Sequence, residues 1–390
     1  MSAVAERVGD EVQADQQVSP LELFFDLVFV FVITQVSGFV SHDPTWTRLV
    51  EGLAILAALW FAWESFVWLA NTTASDEGAV RVVLLSTMGA LLIASLAVPH
   101  AFDEDALIFG VAYFAVRAAH ITAYVIVSRD DPQLRSVVLR LASTILPAAT
   151  LLVLAGIVDA GPPRTACWIA ALVVDYGGLM VRGVEGWRVQ ASHFAERHGL
   201  IIIIALGESI VAVGVGAGGL DLDAGLIVAS LLGVVVAGAL WWVYFDFVAL
   251  VAERRLRTAP PDERVRIARD SFTYLHLPMV AGIVLVAVGV KQVLAHMDSH
   301  LHAVPAVALC GGAALYLVAL SVFKRRNIGS FNYPRLVAAS ALIVLAPIAT
   351  AIPALVALAL VAAVGVALVT YETLAYAEAR DRIRHARENA

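Results

Sequence analysis

The sequence predicts an all-α polytopic membrane protein with about twelve transmembrane helices. Three observations support this fold class. The chain of 390 residues is 60% hydrophobic, only 15% of its residues are charged, and its mean hydropathy is +0.83. An ordinary soluble domain is about half apolar and about a quarter charged, which argues against a water-soluble globule. Apolar runs of about 20 residues, the length that a helix needs to cross a bilayer, also recur along the whole chain.

Twelve apolar runs mark the predicted helices in chain order. Each run is long enough for one span, and the last apolar stretch is divided at Pro353 because proline interrupts the backbone hydrogen-bond ladder. The runs lie near residues 23–41, 49–70, 80–99, 107–127, 137–158, 165–181, 199–217, 224–250, 275–293, 303–322, 336–352 and 354–375.

The distribution of Lys and Arg indicates the orientation of these spans. With the N-terminus in the cytoplasm, the cytoplasmic segments hold 22 Lys and Arg residues, whereas the outer segments hold three, namely Arg48, Arg164 and Lys291. The positive-inside rule expects this asymmetry. Both termini are therefore predicted to be cytoplasmic, with tails at 1–20 and 378–390.

The two halves of the chain resemble each other. The segment 58–66 in the second predicted span parallels the segment 239–247 in the eighth. Six spans in each half would give both halves the same orientation in the membrane. We therefore expect two parallel six-helix repeats, 21–190 and 191–377, with a longer loop at 252–270 in the second.

Several classes of protein are excluded or disfavoured. Cys167 and Cys310 both lie in apolar runs, so there is no disulfide framework and no thiolate metal cage. The sequence contains no P-loop, dinucleotide fingerprint or zinc-protease motif. The net charge of −7, without a broad basic surface, argues against nucleic acid. The expected partners are membrane lipids and a small ion or solute, a homo-oligomer is left open, and no cofactor is expected apart from the metal considered below.

Ionisable side chains inside the apolar runs are the candidate functional residues. Burying a charge in hydrocarbon costs at least about 2.5–3.5 kcal/mol on insertion scales, so each of them requires a partner or a function. We assign them to two candidate sites, with Glu22 and Asp26 at the cytoplasmic entrance of the first. An ion or proton pathway would comprise Glu22, Asp26, Arg117, His120, Asp175 and Glu208. An interfacial site at the cytoplasmic ends of the helices would comprise Glu64, His193, Glu196, Arg197, His198, Asp246 and His276.

Glu208 is the central residue of the predicted pathway. About two turns of aliphatic residues precede it, and a glutamate at the bilayer midplane is typical of a proton carrier or a cation ligand. Gly207 beside it predicts the close approach of a neighbouring backbone. Arg117 is the expected counter-ion. The alternative is a static charge network that holds the helices together.

His193 and Glu196 lie three residues apart, on one face of the seventh predicted helix. This spacing occurs in the carboxylate–histidine metal sites of helical bundles, so a metal at this pair is a further expectation. The alternative is an interfacial belt in which histidine and arginine meet water and lipid headgroups.

Two segments strongly resemble the bacterial low temperature requirement protein A family. They are the run 21–30 with Ile33, Thr34 and Gln35, and the run 196–200 with 205–209. The resemblance extends over 18–375 and implies a multi-pass protein of the bacterial cytoplasmic membrane. Because no molecular activity is established for the family, the resemblance implies a fold and a location rather than a reaction.

A weaker resemblance concerns the first helix. Phe25-Asp26-Leu27-Val28-Phe29 is similar to the Phe-Ser-Asp motif of the lysosomal potassium channel family, whose animal members also pair two six-helix repeats. Here phenylalanine stands at the serine position, and the second half has no such motif at 196–200. These departures argue against the potassium pore of that family.

The sequence leaves three functional hypotheses. The first is a transporter or channel for a small ion or solute, with the intramembrane carboxylates in its pathway. The second is a membrane-embedded enzyme that acts on a lipid or isoprenoid head group at the cytoplasmic interface. The third is a non-catalytic membrane-organising protein. Transport is preferred, because intramembrane ionisable residues mark ion and substrate pathways.

Overall fold

The computed structural model describes residues 18–72, 78–181, 186–218 and 221–376, and these residues form helices and connecting turns without a strand. The predicted tail at 378–390, and the tail at 1–20 up to residue 17, lie outside the described residues. The helices, numbered in chain order, are α1 (Pro20–His42), α2 (Trp46–Ala70), α3 (Gly78–Leu96), α4 (Ala106–Val127), α5 (Pro132–Ile157), α6 (Pro162–Val181), α7 (Ala191–Ala217), α8 (Ala224–Phe245), α9 (Val248–Thr258), α10 (Pro261–Ala295), α11 (Ala303–Ile328), α12 (Tyr333–Ala349) and α13 (Ala354–Ala375).

The predicted fold class is confirmed. Within the described residues, eleven helical segments are long and apolar enough to cross a membrane, with α8 and α9 counted as one. The further apolar helix α12 has 17 residues, at the short end of the range of about 17–25 for a span. The chain turns between α12 and α13 at Pro353, as predicted.

Side-chain caps explain where several of these helices begin. Ser19 accepts a hydrogen bond from the N–H of Glu22, and Asp131 accepts two from the first turn of α5. Asp223 caps α8 in the same way. Each cap satisfies backbone donors that have no partner within the helix, so the helix starts are fixed by local chemistry as well as by hydropathy.

The connection after α8 differs from the prediction. Helix α8 ends at Phe245 rather than at residue 250, and the segment predicted as a loop at 252–270 is mostly helical. The physical reason is the pattern of α9, which buries Val248, Ala252 and Leu256 at intervals of four and places its arginines on the other side. It is therefore an amphipathic helix rather than a loop.

Helix α10 is the central element of the bundle. It packs against α1, α7 and α11, and nearly every residue between Met279 and Val290 is buried. A β-carbon added to Gly282 would lie 2.6 Å from the carbonyl oxygen of Gly312, so α10 and α11 are in backbone contact there. The close packing of these helices fixes the side chains that α10 presents to α1 and α7.

The same helix pairs pack in the two halves of the chain. In each half the first helix contacts the second and third, the second contacts the fourth and sixth, and the third to sixth pack in sequence. For this comparison the second half is counted as α7, α8, α10, α11, α12 and α13. A duplicated six-helix unit would give the same helix contacts in both halves. The repeat itself is still a prediction.

Candidate functional site

Buried polar side chains lie at two levels along α1, α7 and α10, and α2 adds Glu64 to one of these levels. We name the levels for the predicted topology. The inner network, near the predicted cytoplasmic ends, consists of Glu22, Asp26, Glu64, His193, Arg197, His198 and Thr273. The outer network, toward the opposite ends, consists of Thr34, Ser37, Glu208 and Lys291.

Arg197 holds two carboxylates of the inner network. Its Nη1 atom lies 2.7 Å from Oε2 of Glu22, and its Nη2 atom lies 2.6 Å from Oδ1 of Asp26. The two acids are four residues apart on α1 and therefore face the same side. Trp63 Nε1 donates to Asp26 at 2.8 Å, and His193 Nε2 lies 2.8 Å from Glu22. A single guanidinium thus neutralises part of a larger acidic cluster.

His198 and Glu64 form a short buried polar contact. The Nε2 atom of His198 lies 2.6 Å from Oε1 of Glu64, and its Nδ1 atom lies 2.8 Å from the carbonyl oxygen of Phe194. Because a carbonyl oxygen only accepts, Nδ1 carries a proton. The contact between Nε2 and Glu64 then needs a second proton, held either by the imidazole or by the carboxyl group. The pair is consequently a site where one proton can reside on either partner.

A π-helical segment of α10, Ala268–Tyr274, supports Glu64 from the other side. Thr273 donates its hydroxyl to Oε2 of Glu64 at 3.2 Å. The hydroxyl also accepts from Trp68 Nε1 at 3.0 Å, and the Thr273 carbonyl accepts from Trp60 Nε1 at 2.9 Å. A π turn shifts the helical hydrogen-bond ladder, so its backbone can receive side-chain donors in this way.

His276 is enclosed beside this network rather than open to a substrate. Its Nε2 atom lies 2.8 Å from the hydroxyl of Tyr244, and its Nδ1 atom lies 3.1 Å from the carbonyl oxygen of Ser271. The rings of His276 and His198 are 4.9 Å apart between centroids. With Nδ1 donating to the carbonyl, Nε2 accepts from Tyr244 and the imidazole is neutral.

Arg117 and Asp175 form a second buried pair. Arg117 Nη2 lies 2.6 Å from Oδ1 of Asp175, and the Tyr113 hydroxyl donates to Oδ2 of Asp175 at 3.1 Å. The Nη1 atom of Arg117 donates to the carbonyl of Phe61 and the hydroxyl of Ser65, both at 2.7 Å. These contacts tie α4 to α2 and α6.

A small cavity, which we call the inner cavity, connects the Arg117–Asp175 pair with Glu64. It encloses about 50 Å³, which is room for a few water molecules. His120 and Tyr124 of α4 also line it. Both side chains are buried, and their polar atoms have no partner with full hydrogen-bond geometry among the described residues; His120 makes only a weaker contact with the backbone of Ser65, and Tyr124 with the side chain of Thr72. Water or a ligand in the inner cavity could form hydrogen bonds with these buried polar atoms.

A larger space, which we call the vestibule, lies next to the inner cavity. It encloses about 620 Å³ and is bordered by the C-terminal end of α2 and the starts of α5, α7 and α10. Trp187 and Val265 line both the vestibule and the inner cavity, so they form part of the wall between the two spaces. The two spaces therefore lie in series from the predicted cytoplasmic end toward the interior.

The outer network surrounds Glu208 with donors. Lys291 Nζ lies 2.9 Å from Oε1 of Glu208 and 2.7 Å from the hydroxyl of Ser37. Ser37 donates to the same carboxylate oxygen, and Thr34 donates to Oε2 at 2.6 Å. Three donors, one of them the ammonium of Lys291, thus converge on this carboxylate.

An apolar layer separates the two networks. From Asp26 to Thr34 the chain of α1 rises about 12 Å, at about 1.5 Å per residue. On the side of α1 that faces α7 and α10, the side chains in this interval are completely buried in the hydrophobic core, whereas Leu27 on the other side is exposed. The layer consists of Phe29, Ile33, Ile201, Ile202, Val280 and Ile283.

The structure gives the predicted pathway residues different partners from those expected. Arg117 is not the counter-ion of Glu208, because it pairs with Asp175, and Lys291 takes that role. Lys291 lies inside α10 rather than in an outer segment. Glu208 lies past the middle of α7, nearer its outer end, because that helix begins eight residues before the apolar run. Gly207 has no neighbouring helix atom within 4 Å of an added β-carbon, so the expected close approach does not occur there.

The predicted interfacial residues do not come together as one site. Glu196 is exposed, whereas its expected metal-binding partner His193 is buried against Glu22. Asp246 is partly exposed at the end of α8. Within the ranges that the structure describes, no group of three or more His, Cys, Asp and Glu side chains is placed to hold a metal ion. Glu64, Arg197 and His198 join the inner network instead.

Some residues of the site were not identified from the sequence. Ser37 and Thr34 lie three residues apart on α1 and Ser41 follows four residues later, so three hydroxyl groups share one face of an apolar helix. That pattern could have indicated a polar partner. Lys291 gave no such signal, because it stands near the end of an apolar run, where a loop residue is also expected.

Comparisons with known proteins identify relatives of the whole bundle. Residues 17–370 match the family described as bacterial low temperature requirement A protein. An uncharacterised protein of Rhizobium meliloti (strain 1021) is 32% identical over 318 residues, which cover 78% of this chain and 76% of that protein. No solved structure matches the chain.

Proposed function

The chain belongs to the bacterial low temperature requirement A family of membrane proteins, and we propose that it transports a small ion or solute across the bacterial cytoplasmic membrane. Carboxylates inside the bundle would line the pathway and exchange protons during transport. The proposal places this pathway along α1, α7 and α10.

The observation that carries the proposal is the two-level arrangement on these helices. Charged and hydroxyl side chains are costly inside a membrane, and those that persist there commonly line pathways for ions, protons or substrates. Here they lie on both sides of an apolar layer, in the inner and outer networks. A pathway with two polar levels and an apolar barrier between them can bind a solute on one side and release it on the other.

The spaces around the inner network support an entry route from the predicted cytoplasmic side. A solute would pass through the vestibule and then the wall that contains Trp187 and Val265, and reach the inner cavity beside Glu64. The outer network is closed by the ion pair between Glu208 and Lys291. This arrangement corresponds to an inward-facing state, in which the outer pair would have to separate before release to the other side.

Proton exchange would occur at His198 and Glu64. Their short contact allows one proton to move between them, and Glu64 also borders the inner cavity. A proton bound there alters the charge of the inner network without movement of a helix. Solute transport would be coupled to proton movement if the solute binds the protonated and the deprotonated form of this pair with different affinity.

Glu208→Gln is the first test. We expect the variant in proteoliposomes to lose at least nine tenths of the flux that the wild type shows for K⁺, Na⁺ or H⁺ under an imposed gradient. The amide can still pair with Thr34 and Ser37, but it cannot neutralise Lys291 or take up a proton, and without a negative charge it is a weaker ligand for a cation. Gel filtration in detergent measures whether the variant remains folded.

Glu372→Gln is the matched control. Glu372 is also a buried acid, paired with Arg335 at 2.7 Å through both carboxylate oxygens, but it lies on α13 away from the two networks. We expect its flux to stay within twofold of the wild type. Unchanged flux in the Glu208 variant, or equal losses in both variants, would contradict the proposed pathway.

The other two hypotheses have less support from the geometry. A head-group enzyme needs acid and histidine side chains that converge on an open space. Instead, His198 and His276 are fully enclosed, and Glu196 points away from the inner network. A purely organising protein needs neither the inner cavity nor buried polar atoms along it without full hydrogen bonds. That hypothesis expects stability and cellular activity to fall together in variants of Asp26, Arg117 and Glu208.

A further inference from the structure

The vestibule has a strong excess of positive side chains. Arg188, Arg257 and Arg264 line it. Of the residues that the structure describes, Asp131 is the one acid that does so, and its Oδ1 atom already accepts from the backbone N–H groups of Gln133 and Leu134. The carboxylate is thus engaged at the start of α5, and the arginines dominate the charge of this space.

The start of α7 adds a second positive feature. This helix of 27 residues begins in the wall of the vestibule, and its N-cap residue Gln190 makes no side-chain hydrogen bond to the first turn. The first backbone N–H groups of a helix have no partner within it and carry a partial positive charge. An uncapped helix start that faces a polar space is suited to bind an anion.

Two buried nitrogen atoms at the vestibule are without hydrogen-bond partners among the described residues. They are Nδ1 of His193 and Nε of Arg264. His193 is only 1% exposed, and its other ring nitrogen binds Glu22. Arg264 uses its Nη2 atom for the carbonyl groups of Arg257 and Ala259. Unpaired buried nitrogens are costly. The N–H at Nε of Arg264 needs an acceptor oxygen, whereas Nδ1 of a neutral His193, whose ring proton faces Glu22, needs a hydroxyl donor. A ligand that carries both acceptor oxygens and a hydroxyl group could satisfy both.

We propose that the vestibule binds a phosphate group. Arginine forks and a free helix start are donors that bind phosphate oxygens in proteins, and the hydroxyl of a monohydrogen phosphate or of a lipid headgroup could donate to Nδ1 of His193. The volume of about 620 Å³ lies within the range of ligand sites, about 300–1,000 Å³. The phosphate could belong to an anionic lipid, because the vestibule lies at the predicted cytoplasmic interface, or to a soluble phosphate compound. This site does not depend on the transport proposal.

The test uses two double variants with the same change in charge. Arg188→Gln with Arg257→Gln removes two exposed arginines of the vestibule, whereas Arg254→Gln with Arg266→Gln removes two exposed arginines of α9 and α10 that do not line it. Isothermal titration calorimetry on delipidated protein in neutral detergent measures binding of inorganic phosphate. In parallel, mass spectrometry measures retention of phosphatidylglycerol against phosphatidylcholine in nanodiscs.

For a site that accepts soluble phosphate, we expect about one phosphate per wild-type chain, a Kd raised at least tenfold in the vestibule variant, and a change within twofold in the control. For a lipid site, inorganic phosphate does not bind, and preferential retention of phosphatidylglycerol is lost in the vestibule variant alone. Either result supports the proposal and identifies the source of the phosphate. Equal effects in the two double variants would show that binding depends on the general surface charge and would contradict the proposal. If the wild type binds neither inorganic phosphate nor phosphatidylglycerol, the site is excluded.

Discussion

At the scale of single residues, Arg197 shows how a charge becomes acceptable inside the bundle. Its planar guanidinium places two donors toward two different carboxylates, which a lysine ammonium could not do with the same geometry. The ion pairs are buried, so they contribute little net stability compared with an apolar core, but they become very costly when one partner is removed. The main role of Arg197 is therefore to offset the cost of burying Glu22 and Asp26, and its net contribution to the stability of the fold is small.

Arg197→Met should lower the stability of the protein by about 3–5 kcal/mol, because it leaves two buried carboxylates without their cation. The measurement is unfolding in detergent followed by tryptophan fluorescence. The triple variant with Glu22→Gln and Asp26→Asn should recover most of the loss, since no uncompensated charge remains. An Arg197→Met protein as stable as the wild type would show that the network does not depend on this cation.

The sequence identified the buried charges better than their partners. Asp26, Glu64, Arg117 and Glu208 stand out because each interrupts an apolar run, and this local signal needs no knowledge of the fold. Their partners lie on other helices, between 58 and 171 residues away. Such distances are set by how helices pack, which hydropathy does not encode, and this explains why Arg117 was assigned to Glu208.

At the scale of helices, the crossing of α10 and α11 is the tightest contact around the site. Gly282 and Gly312 face each other, so the two backbones approach without intervening side chains. Small residues allow such close packing in membranes, where no hydrophobic effect drives helices together. This crossing holds α10 in position and thereby holds Thr273 and Lys291, which lie at opposite levels of the same helix.

Gly282→Ala should destabilise the protein by about 1–3 kcal/mol, because the new β-carbon would meet the backbone of α11. The matched control is Gly238→Ala on α8, where an added β-carbon has no neighbour within 4 Å. The control should be neutral or more stable by up to about 1 kcal/mol, since alanine favours the helix. Thermal unfolding of both variants in the same detergent tests this, and equal effects would contradict the packing argument.

The helices themselves were largely predictable, but their ends were not. Runs of apolar residues gave the order and approximate position of all twelve apolar helices. Helix α7 begins at Ala191 because the polar residues of its first turns are buried against Glu22 and Glu64. Hydropathy does not detect these contacts with other helices, so the polar residues predicted a helix start at residue 199 instead. The amphipathic helix α9 was missed for the converse reason, since its arginines resemble those of a loop.

At the scale of the whole molecule, the orientation in the membrane is still a prediction from charge. Lys291 lies inside α10 and Arg197 lies buried inside α7, so leaving both out changes the count from 22 against three to 21 against two Lys and Arg residues. The asymmetry is thus unaffected by the correction. It requires the loop around Glu104 to be outside and the start of α10 around Asp262 to be inside.

Cysteine accessibility tests this orientation. In a chain with Cys167 and Cys310 replaced by alanine, Glu104→Cys should react with a membrane-impermeant maleimide in intact cells, because its side chain is 76% exposed. Asp262→Cys should react only after the cells are permeabilised. The opposite pattern would invert the topology and would place the vestibule on the outer side.

The apolar layer between the two networks has an electrical consequence. Packed hydrocarbon polarises far less than charged and hydrogen-bonded groups, so along the proposed pathway much of the membrane voltage would fall across Ile33, Ile201 and Ile283 rather than evenly over the bilayer. One elementary charge moved through a potential of 100 mV gains or loses about 2.3 kcal/mol. Movement of an ion or a proton past these three isoleucines would therefore be the step at which the resting potential of the cell acts on the protein.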